Sequence, residues 1–356
     1  MENAADPPDA GRRPGRGRLK AAWALVVLAP LSAEATFSGV GMPVLWVILP
    51  LLVPMYGAGV LLIRELVARA GAGLPGLLLM GAAYELVEDG IGLQALTSPN
   101  LYNAAEWGPR VLGFNTAYWE SQLGYHVVFS VLVPVALTDL LFPRFAGRPL
   151  LRRGGLIGAG VAAAVGVALL RLLIAGVEDP GYQAPLPVLA GLLLTVAVLA
   201  VLALRIVPRM RRVLPGAAPP AEAGRAPGLV AACLLPGAAA LVFLGLLVPP
   251  GYPPTGPAVG GGWVVAAMAG AAAVAAATGW RIATWARTAG FTDIHRVAVI
   301  GGALVGHTLF LTLSALVFGE RAGAVFPAVV GTAVIAATAG GLTWLALRLR
   351  RRAEAS

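Results

Sequence analysis

Residues 185–204 read PLPVLAGLLLTVAVLAVLAL, which is twenty consecutive positions without a charged side chain. An α-helix rises about 1.5 Å per residue, so about twenty apolar residues cross the ~30 Å hydrocarbon layer of a bilayer. Nine other stretches have similar length and character, and arginine clusters or Pro-Gly turns separate them. We therefore predict an all-α fold, a polytopic transmembrane helix bundle of about ten helices.

The composition of the chain supports the same conclusion. Hydrophobic residues make up 58% of the 356 positions and charged residues 12%, whereas soluble domains carry about 25% charged residues. The net charge of +9 comes from arginines that flank the apolar stretches, as is typical of helix anchors at a membrane surface. We expect the lipid bilayer as a partner and no nucleic acid.

One transmembrane domain is predicted for residues 19–348, after a disordered basic segment at 1–18 and before a cytoplasmic tail at 349–356. The ten predicted spans are 20–38, 43–63, 74–96, 121–142, 154–177, 185–207, 229–248, 259–280, 297–318 and 325–347. A Pro-Ala-Gly-rich stretch between the sixth and seventh spans is expected to be a flexible linker.

The charges of the connecting segments predict the orientation. With the N-terminus inside, inner segments hold twenty-three lysines and arginines and outer segments hold two. Because positive residues are retained on the cytoplasmic side, both termini are predicted to be cytoplasmic. An alternative is a cleaved signal peptide, since residues 12–35 combine a basic start, an apolar stretch and the small-x-small sequence Ala33-Glu34-Ala35.

Ionisable residues within the spans are the candidates for function, since each is costly in hydrocarbon unless it is paired or hydrated. Glu85, Glu88 and Asp89 follow a spacing of three and four, which places them on one stripe of a helix. His126 and His307 lie in the fourth and ninth spans. We predict that these five residues converge as a proton relay or an active site.

Three neighbouring carboxylates cannot all be ionised in a low-dielectric site, so a shared proton, a cation or a protonated histidine must balance them. A purely structural alternative is that the acids cap one another and Gln94. Glu34 and Trp119 are weaker candidates for substrate binding. Trp119 belongs to an aromatic-rich external segment, 97–120, which either anchors at lipid headgroups or caps a pocket.

The remaining charged residues within spans favour structural roles. Asp139 lies near the inner end of its span and is expected to pair with Arg144. Arg64 and Glu65 are expected to extend to the inner interface. For Arg171 the sequence leaves open whether it extends to an interface or meets an acid.

Three motifs resemble an uncharacterised family of multi-pass membrane proteins from actinobacteria and their relatives. They are LLIREL at 61–66, AAYELVEDG at 82–90 and HVVFSVLVP at 126–134, and the likeness covers roughly the first 150 residues. The resemblance implies location in a bacterial cytoplasmic membrane and brings no known activity.

An acidic pair followed by histidines on later helices is also similar to the CAAX-protease and bacteriocin-processing family of intramembrane glutamate proteases. The motifs of that family are E-E-x-x-x-R, F-x-x-x-H and H-x-x-x-N. In this chain Leu93, Gln122 and Leu311 stand at the Arg, Phe and Asn positions. The resemblance implies Glu88 as the base and both histidines as groups that orient water or an oxyanion.

The sequence lacks the motifs of nucleotide hydrolysis, zinc-dependent proteolysis and serine hydrolysis. The sequence contains no P-loop, no H-E-x-x-H and no G-x-S-x-G, and Cys233 is its single cysteine. An internal disulfide and a cysteine-based metal site are therefore excluded, and we predict no cofactor and no metal.

Three functions remain open. The first is a proton- or cation-coupled transporter or permease for a small solute, because carboxylates and histidine form proton relays in membranes. The second is an intramembrane glutamate-type protease or another hydrolase with a membrane-embedded substrate. The third is a non-catalytic accessory subunit.

Overall fold

The fold was analysed in a computed structural model, which describes residues 15–213, 225–250, 258–318 and 321–354. Most of the predicted disordered N-terminal segment and of the predicted linker therefore lies outside the described residues. The first helix begins at Arg16 and the last continues to Glu354, so the segment predicted as a tail is helical as far as it is described.

Long helices lie at all ten predicted positions. They are α1 (Arg16–Pro30, continued by Leu31–Ala35), α2 (Leu45–Ala70), α3 (Gly73–Glu85, continued by Leu86–Gly92), α4 (Thr116–Leu141), α5 (Arg153–Glu178), α6 (Leu186–Met210), α7 (Leu229–Leu247), α8 (Gly261–Ala286), α9 (Asp293–Phe318) and α10 (Arg321–Glu354).

Eight helices of the described chain, α2 and α4 to α10, are long and apolar enough to cross a membrane. The other two carry more charge within twenty residues. Helix α1 contains Arg18, Lys20 and Glu34, and α3 contains the three acids of the predicted stripe. The structure thus confirms an all-α polytopic bundle, while the count of ten spans and the cytoplasmic location of both ends stay predictions.

Short π-helical segments interrupt six of the described helices. They are Leu31–Ala35, Pro54–Ala58, Leu86–Gly92, His126–Leu132, Leu170–Ala175 and Leu202–Ile206. The second begins at Pro54, whose missing N–H removes one α-helical hydrogen bond. A π-helical segment widens the turn and changes the face on which the following residues lie.

Smaller elements connect the long helices. They are the helix Ser38–Gly41, the 3₁₀ helices Leu101–Glu106 and Pro143–Phe145, and an antiparallel pair of strands, β1 (Arg110–Val111) and β2 (Phe114–Asn115), in which Arg110 opposes Asn115.

Glycines allow the helices to approach closely. A Cβ atom at Gly166 of α5 would lie 2.7 Å from Cα of Met55 in α2, and one at Gly237 of α7 would lie 2.9 Å from the carbonyl oxygen of Gly302 in α9. Helix backbones that touch in this way are typical of packing in membranes, where small residues line the interfaces. The resulting core surrounds a group of polar residues contributed mainly by α1 to α4.

Candidate functional site

A buried polar cluster lies where α1, α2, α3, α4 and α9 meet. We use "polar cluster" for Glu34, Tyr56, Glu85, Glu88, Asp89, Tyr118, Tyr125, His126 and His307. Each of these side chains is at most 8% exposed. Because buried polar groups are costly without partners, their pairing determines what the cluster can do.

His126 is the centre of this pairing. Its Nε2 lies 3.2 Å from Oδ2 of Asp89, and its Nδ1 lies 3.5 Å from Oε2 of Glu88. The hydroxyl of Ser130, one helical turn further along α4, forms a 3.0 Å hydrogen bond with Nδ1. One imidazole therefore stands between two carboxyl groups that are neighbours in sequence.

Aromatic side chains of α4 hold the outer members of the acidic stripe. The indole N–H of Trp119 donates to Oε2 of Glu85 at 3.2 Å, and the hydroxyl of Tyr118 donates to Oδ1 of Asp89 at 3.2 Å. Trp119, which we considered for substrate binding, is thus a hydrogen-bond donor to the acidic stripe. Its role toward a substrate stays a prediction.

Glu34 joins the cluster from α1. Its Oε1 accepts hydrogen bonds from the hydroxyl of Tyr56 and, at 3.2 Å, from the hydroxyl of Tyr125. The ring of Tyr125 lies 4.8 Å from that of His126, centroid to centroid. Tyr125 therefore connects the Glu34 carboxyl group to the neighbourhood of His126.

His307 is fully buried, and the structure shows no hydrogen bond or ion pair between it and the carboxyl groups. Its ring stacks between Phe129, at a centroid distance of 3.7 Å, and Phe37, at 4.6 Å. The hydroxyl of Thr36 donates to the carbonyl of Ser32 at 2.8 Å, so at 3.0 Å it accepts a hydrogen bond from Nδ1–H of His307. This assignment leaves Nε2 as a bare acceptor.

The five residues that were predicted to converge therefore form two groups in the structure. Glu88 and Asp89 meet His126 directly, and Glu85 extends the same acidic stripe. His307 is separated from this group by the ring of Tyr125, which lies 5.2 Å from the histidine ring. His307 is held by stacking between Phe37 and Phe129 and not by an ion pair.

Most members of the polar cluster lie in or next to π-helical segments. Glu34, Tyr56, Glu88 and His126 each lie within one, and Asp89 follows Glu88 in the same segment. π-Helical turns occur frequently at functional sites because the widened turn redirects side chains. The meeting of four such turns, one from each of four helices, indicates that the polar cluster is a functional site.

Several buried polar atoms of the polar cluster have no hydrogen-bond partner within the described part of the chain. They are Oε1 of Glu85 and Nε2 of His307, while Oε2 of Glu88 and Oδ2 of Asp89 have only their approach to His126. The hydroxyl of Tyr84, beside the same acids, is also unpartnered. Unsatisfied buried groups are rare in native proteins, and so many at one place are typical of a site for protons or a ligand.

The aromatic segment 97–120 covers one side of these acids. Trp107 is 4% exposed and packs edge-to-face on Tyr118, with ring centroids 5.3 Å apart. Arg110 fixes the segment by donating to the carbonyls of Thr97 and Ser98 at 3.2 and 2.8 Å. The segment therefore packs over the acids, while its contact with lipid headgroups and a pocket beneath it both stay predictions.

The expected pairing of Asp139 with Arg144 is wrong. Asp139 accepts a hydrogen bond from Arg64 at 2.9 Å. Arg64 is 3% exposed, since the carbonyls of Phe145 and Arg148 accept its other hydrogen bonds. Arg64 therefore points into the protein rather than to the interface.

Glu65 is also buried rather than extended to the interface. It accepts hydrogen bonds from the backbone N–H groups of Leu150 and Leu151 and pairs with Arg69. Arg171, which the sequence left open, donates to the carbonyl of Tyr182 beyond the end of α5. These contacts fix the loops at both ends of the bundle.

The tyrosines and hydroxyl residues of the site were missed by sequence reasoning. Tyr56 and Tyr125 lie in apolar stretches, where an aromatic residue is usually core packing, and Tyr118 was considered only as one of the aromatic residues of segment 97–120. The available signal was that tyrosine, unlike phenylalanine, carries a hydroxyl group that needs a partner when it is buried.

Among the described residues, no three His, Cys, Asp or Glu side chains are arranged to hold a metal ion.

Comparisons with known proteins agree with this architecture. The model of a family described as an uncharacterized membrane protein family matches residues 24–349, a range that includes the whole polar cluster. No curated protein and no solved structure gives a significant match to the chain. With most of its length matched and several helices able to cross a bilayer, this multi-pass membrane protein belongs to the uncharacterized membrane protein family.

Proposed function

We propose that the protein is a proton-coupled transporter of a small solute and that the coupling protons bind at the polar cluster. One observation carries the proposal: His126 stands 3.2 Å from Asp89 and 3.5 Å from Glu88, and each of the three residues is 2% exposed. Intramembrane carboxylates beside a histidine are the usual groups of proton relays.

Charge balance requires that this site hold protons or a cation. Four carboxyl groups, Glu34, Glu85, Glu88 and Asp89, lie near the single imidazole of His126, with arginines placed elsewhere in the described bundle. A set of unbalanced charges in a low-dielectric interior is too costly to persist. Loading and release of a proton therefore changes the charge of the site, which is the property a coupled transporter uses.

The geometry supports one short proton path. Nε2 of His126 exchanges a proton with Oδ2 of Asp89, and Nδ1 exchanges one with Oε2 of Glu88. Tyr56 and Tyr84 also lie beside the Glu88 carboxyl group, and the contacts of His126 are the ones that join the two acids. The imidazole thus passes a proton between two acids by using its two nitrogens in turn.

Proton flux into proteoliposomes tests the proposal. Vesicles loaded with a pH-sensitive dye receive a potassium diffusion potential through valinomycin, and internal acidification is recorded for the parent chain. We expect flux above that of protein-free vesicles, and its loss in Glu88→Gln and in His126→Gln. Each substitution removes a proton-exchanging group at nearly constant volume.

Glu120→Gln is the matched control, since Glu120 is a half-buried glutamate of α4, six residues before His126 and on another face of the helix. We expect it to keep the parent flux. Flux in Glu88→Gln equal to that of the parent would exclude a relay through this residue. Parent vesicles that are no faster than protein-free vesicles would count against proton coupling itself.

The second candidate function is a membrane-embedded hydrolase of the glutamate type. It is favoured by the contact of Glu88 with His126, since a carboxylate beside an imidazole is able to activate water. The position of His307 behind Tyr125 weighs against it, because the resemblance to glutamate proteases assigns both histidines to one site. Cleavage of membrane-embedded peptides that persists in Glu88→Gln would exclude Glu88 as the base, and a parent chain that cleaves none of them would count against this candidate.

We further propose the bacterial cytoplasmic membrane as the location, with both termini inside. The proposal rests on the excess of arginine on one side of the bundle and on the motifs at 61–66, 82–90 and 126–134. Alkylation of single cysteines introduced at Arg152 and at Leu112, each in a chain with Cys233→Ser, would test it. Only the second site is expected to react with an impermeant maleimide in intact cells.

A further inference from the structure

An apolar groove of about 710 Å³ lies on the second half of the bundle, away from the polar cluster. Helices α7 and α10 form its two walls and α9 forms its floor. Its lining is aliphatic, with Leu234, Leu241, Val305, Leu309 and Leu347 among the contributing residues. This volume lies within the range of ligand-binding sites in proteins.

The groove arises from the sizes of the side chains on its floor. Gly302 and Gly306 of α9 face the backbone of α7 so closely that a Cβ atom at either would clash with it. On the other side, a Cβ atom at Gly301 would lie 3.1 Å from the side chain of Leu342 in α10. Both walls therefore pack onto a floor that has few side chains to fill the space between them.

The length of the groove corresponds to one leaflet of a bilayer. It extends along α7 from Leu229 to Leu241, twelve residues or about 18 Å, and along α10 from Arg350 back to Ala339, eleven residues or about 17 Å. Half of a ~30 Å hydrocarbon layer plus part of the headgroup region spans a similar distance. One acyl chain of a lipid in that leaflet fits this length.

Arginines mark one end of the groove. Arg350 lines the groove itself, and a smaller adjoining pocket, which shares Leu347 with it, is lined by Arg348, Arg351 and Arg352. Neither lining contains an acidic side chain among the described residues. The rule that positive residues stay inside places this end at the cytoplasmic leaflet.

We propose that the groove binds an anionic phospholipid of the cytoplasmic leaflet. One acyl chain lies along α9 between α7 and α10, and the phosphate group lies at Arg350 and its neighbouring arginines. Basic pockets at the cytoplasmic ends of transmembrane helices recognise such headgroups by charge, and arginine binds phosphate through paired N–H groups. A zwitterionic lipid offers the same acyl chain without the net negative charge.

Cys233, the single cysteine of the chain, lines the groove and reports on its occupant. The full chain, purified in a neutral detergent, is alkylated with N-ethylmaleimide while phosphatidylglycerol or phosphatidylcholine is titrated in. We expect phosphatidylglycerol to slow the reaction of Cys233 at lower concentrations than phosphatidylcholine. Native mass spectrometry is expected to show one tightly retained phosphatidylglycerol.

Two variants distinguish the contribution of the lipid headgroup from that of the acyl chain. Arg350→Gln is expected to need about fivefold more phosphatidylglycerol for the same protection, as removal of one interfacial arginine predicts. Ala339→Phe fills the exposed wall of α10 and is expected to reduce retention of both lipids. The control is Arg152→Gln, an exposed arginine at the start of α5, which is expected to behave as the parent.

Equal protection by the two lipids, or identical titrations for Arg350→Gln and the parent, would overturn the proposal. Protection of Cys233 that rises with protein concentration in the absence of lipid would also overturn it, since a second copy of the chain would then occupy the groove. If Arg350→Gln is not monodisperse, Arg351→Gln in the adjoining pocket serves the same comparison.

Discussion

Substitution of Gly302 by alanine tests whether the crossing of α7 and α9 depends on backbone contact. A Cβ atom at this position would lie 2.7 Å from the carbonyl carbon of Cys233 and 3.1 Å from its Cα, and it would lie even closer to the carbonyl oxygen. All three atoms belong to the backbone of α7, so no side-chain rotation relieves the contact. The helices themselves have to separate.

The required movement follows from these distances. Ordinary contacts begin at 3.4 Å, so relief of the 2.7 Å contact alone needs a shift of at least about 0.7 Å. Overpacking of this kind costs about 1–3 kcal/mol. Alanine recovers about 0.5–1 kcal/mol, because glycine is the poorer helix former. We expect Gly302→Ala to lower the free energy of unfolding by about 1–2 kcal/mol.

Unfolding of the purified chain in mixed detergent and sodium dodecyl sulfate measures this difference. Gly245→Ala is the matched control, because nothing lies within 4 Å of a Cβ atom at that position on α7. It should stabilise the chain by up to about 1 kcal/mol. If Gly302→Ala proves as stable as Gly245→Ala, the close crossing of α7 and α9 is refuted.

Two further predictions concern the ends of the bundle. Glu65→Gln should lower the free energy of unfolding by about 1–3 kcal/mol in the same assay, because the buried Arg64 and the N–H groups of Leu150 and Leu151 lose a charged partner. Hydrogen bonds from Ser98 and Asn100 lower the pKa of Asp179. Their stabilisation is present above the unfolded pKa of about 4 and is lost as pH falls through the folded pKa, so Asp179→Asn should destabilise the chain at pH 7 and progressively less below pH ~4.

The helices were predictable because hydrophobicity alone determines where a chain can cross a bilayer. Residues 185–204 have no alternative to a span, and the helix Leu186–Met210 lies there. The burial of the acidic stripe was also predictable, because charged groups avoid hydrocarbon just as apolar groups avoid water. Carboxyl groups inside a span have to face protein, and Glu85 is fully buried.

Pairing between distant residues was not predictable in this way. Asp139 was assigned to Arg144 because the two are close in sequence, yet it binds Arg64, which lies 75 residues away. Local spacing gives no information on which helices become neighbours. The π-helical turn at Leu86–Gly92 was not predictable either. A change from α-helical to π-helical hydrogen bonds leaves no mark in the order of apolar and polar residues.

The two halves of the chain take part in the polar cluster in different ways. Every carboxyl group of the cluster comes from α1 or α3, while α9 contributes one histidine that is held by Thr36 and by two phenylalanine rings. Any displacement of α9 relative to α1 must therefore break the Thr36 contact and the stacking before it reaches an acid. Tyr125 contacts both His307 and Glu34, so the contact between α9 and the carboxyl groups runs through a tyrosine hydroxyl rather than through an ion pair.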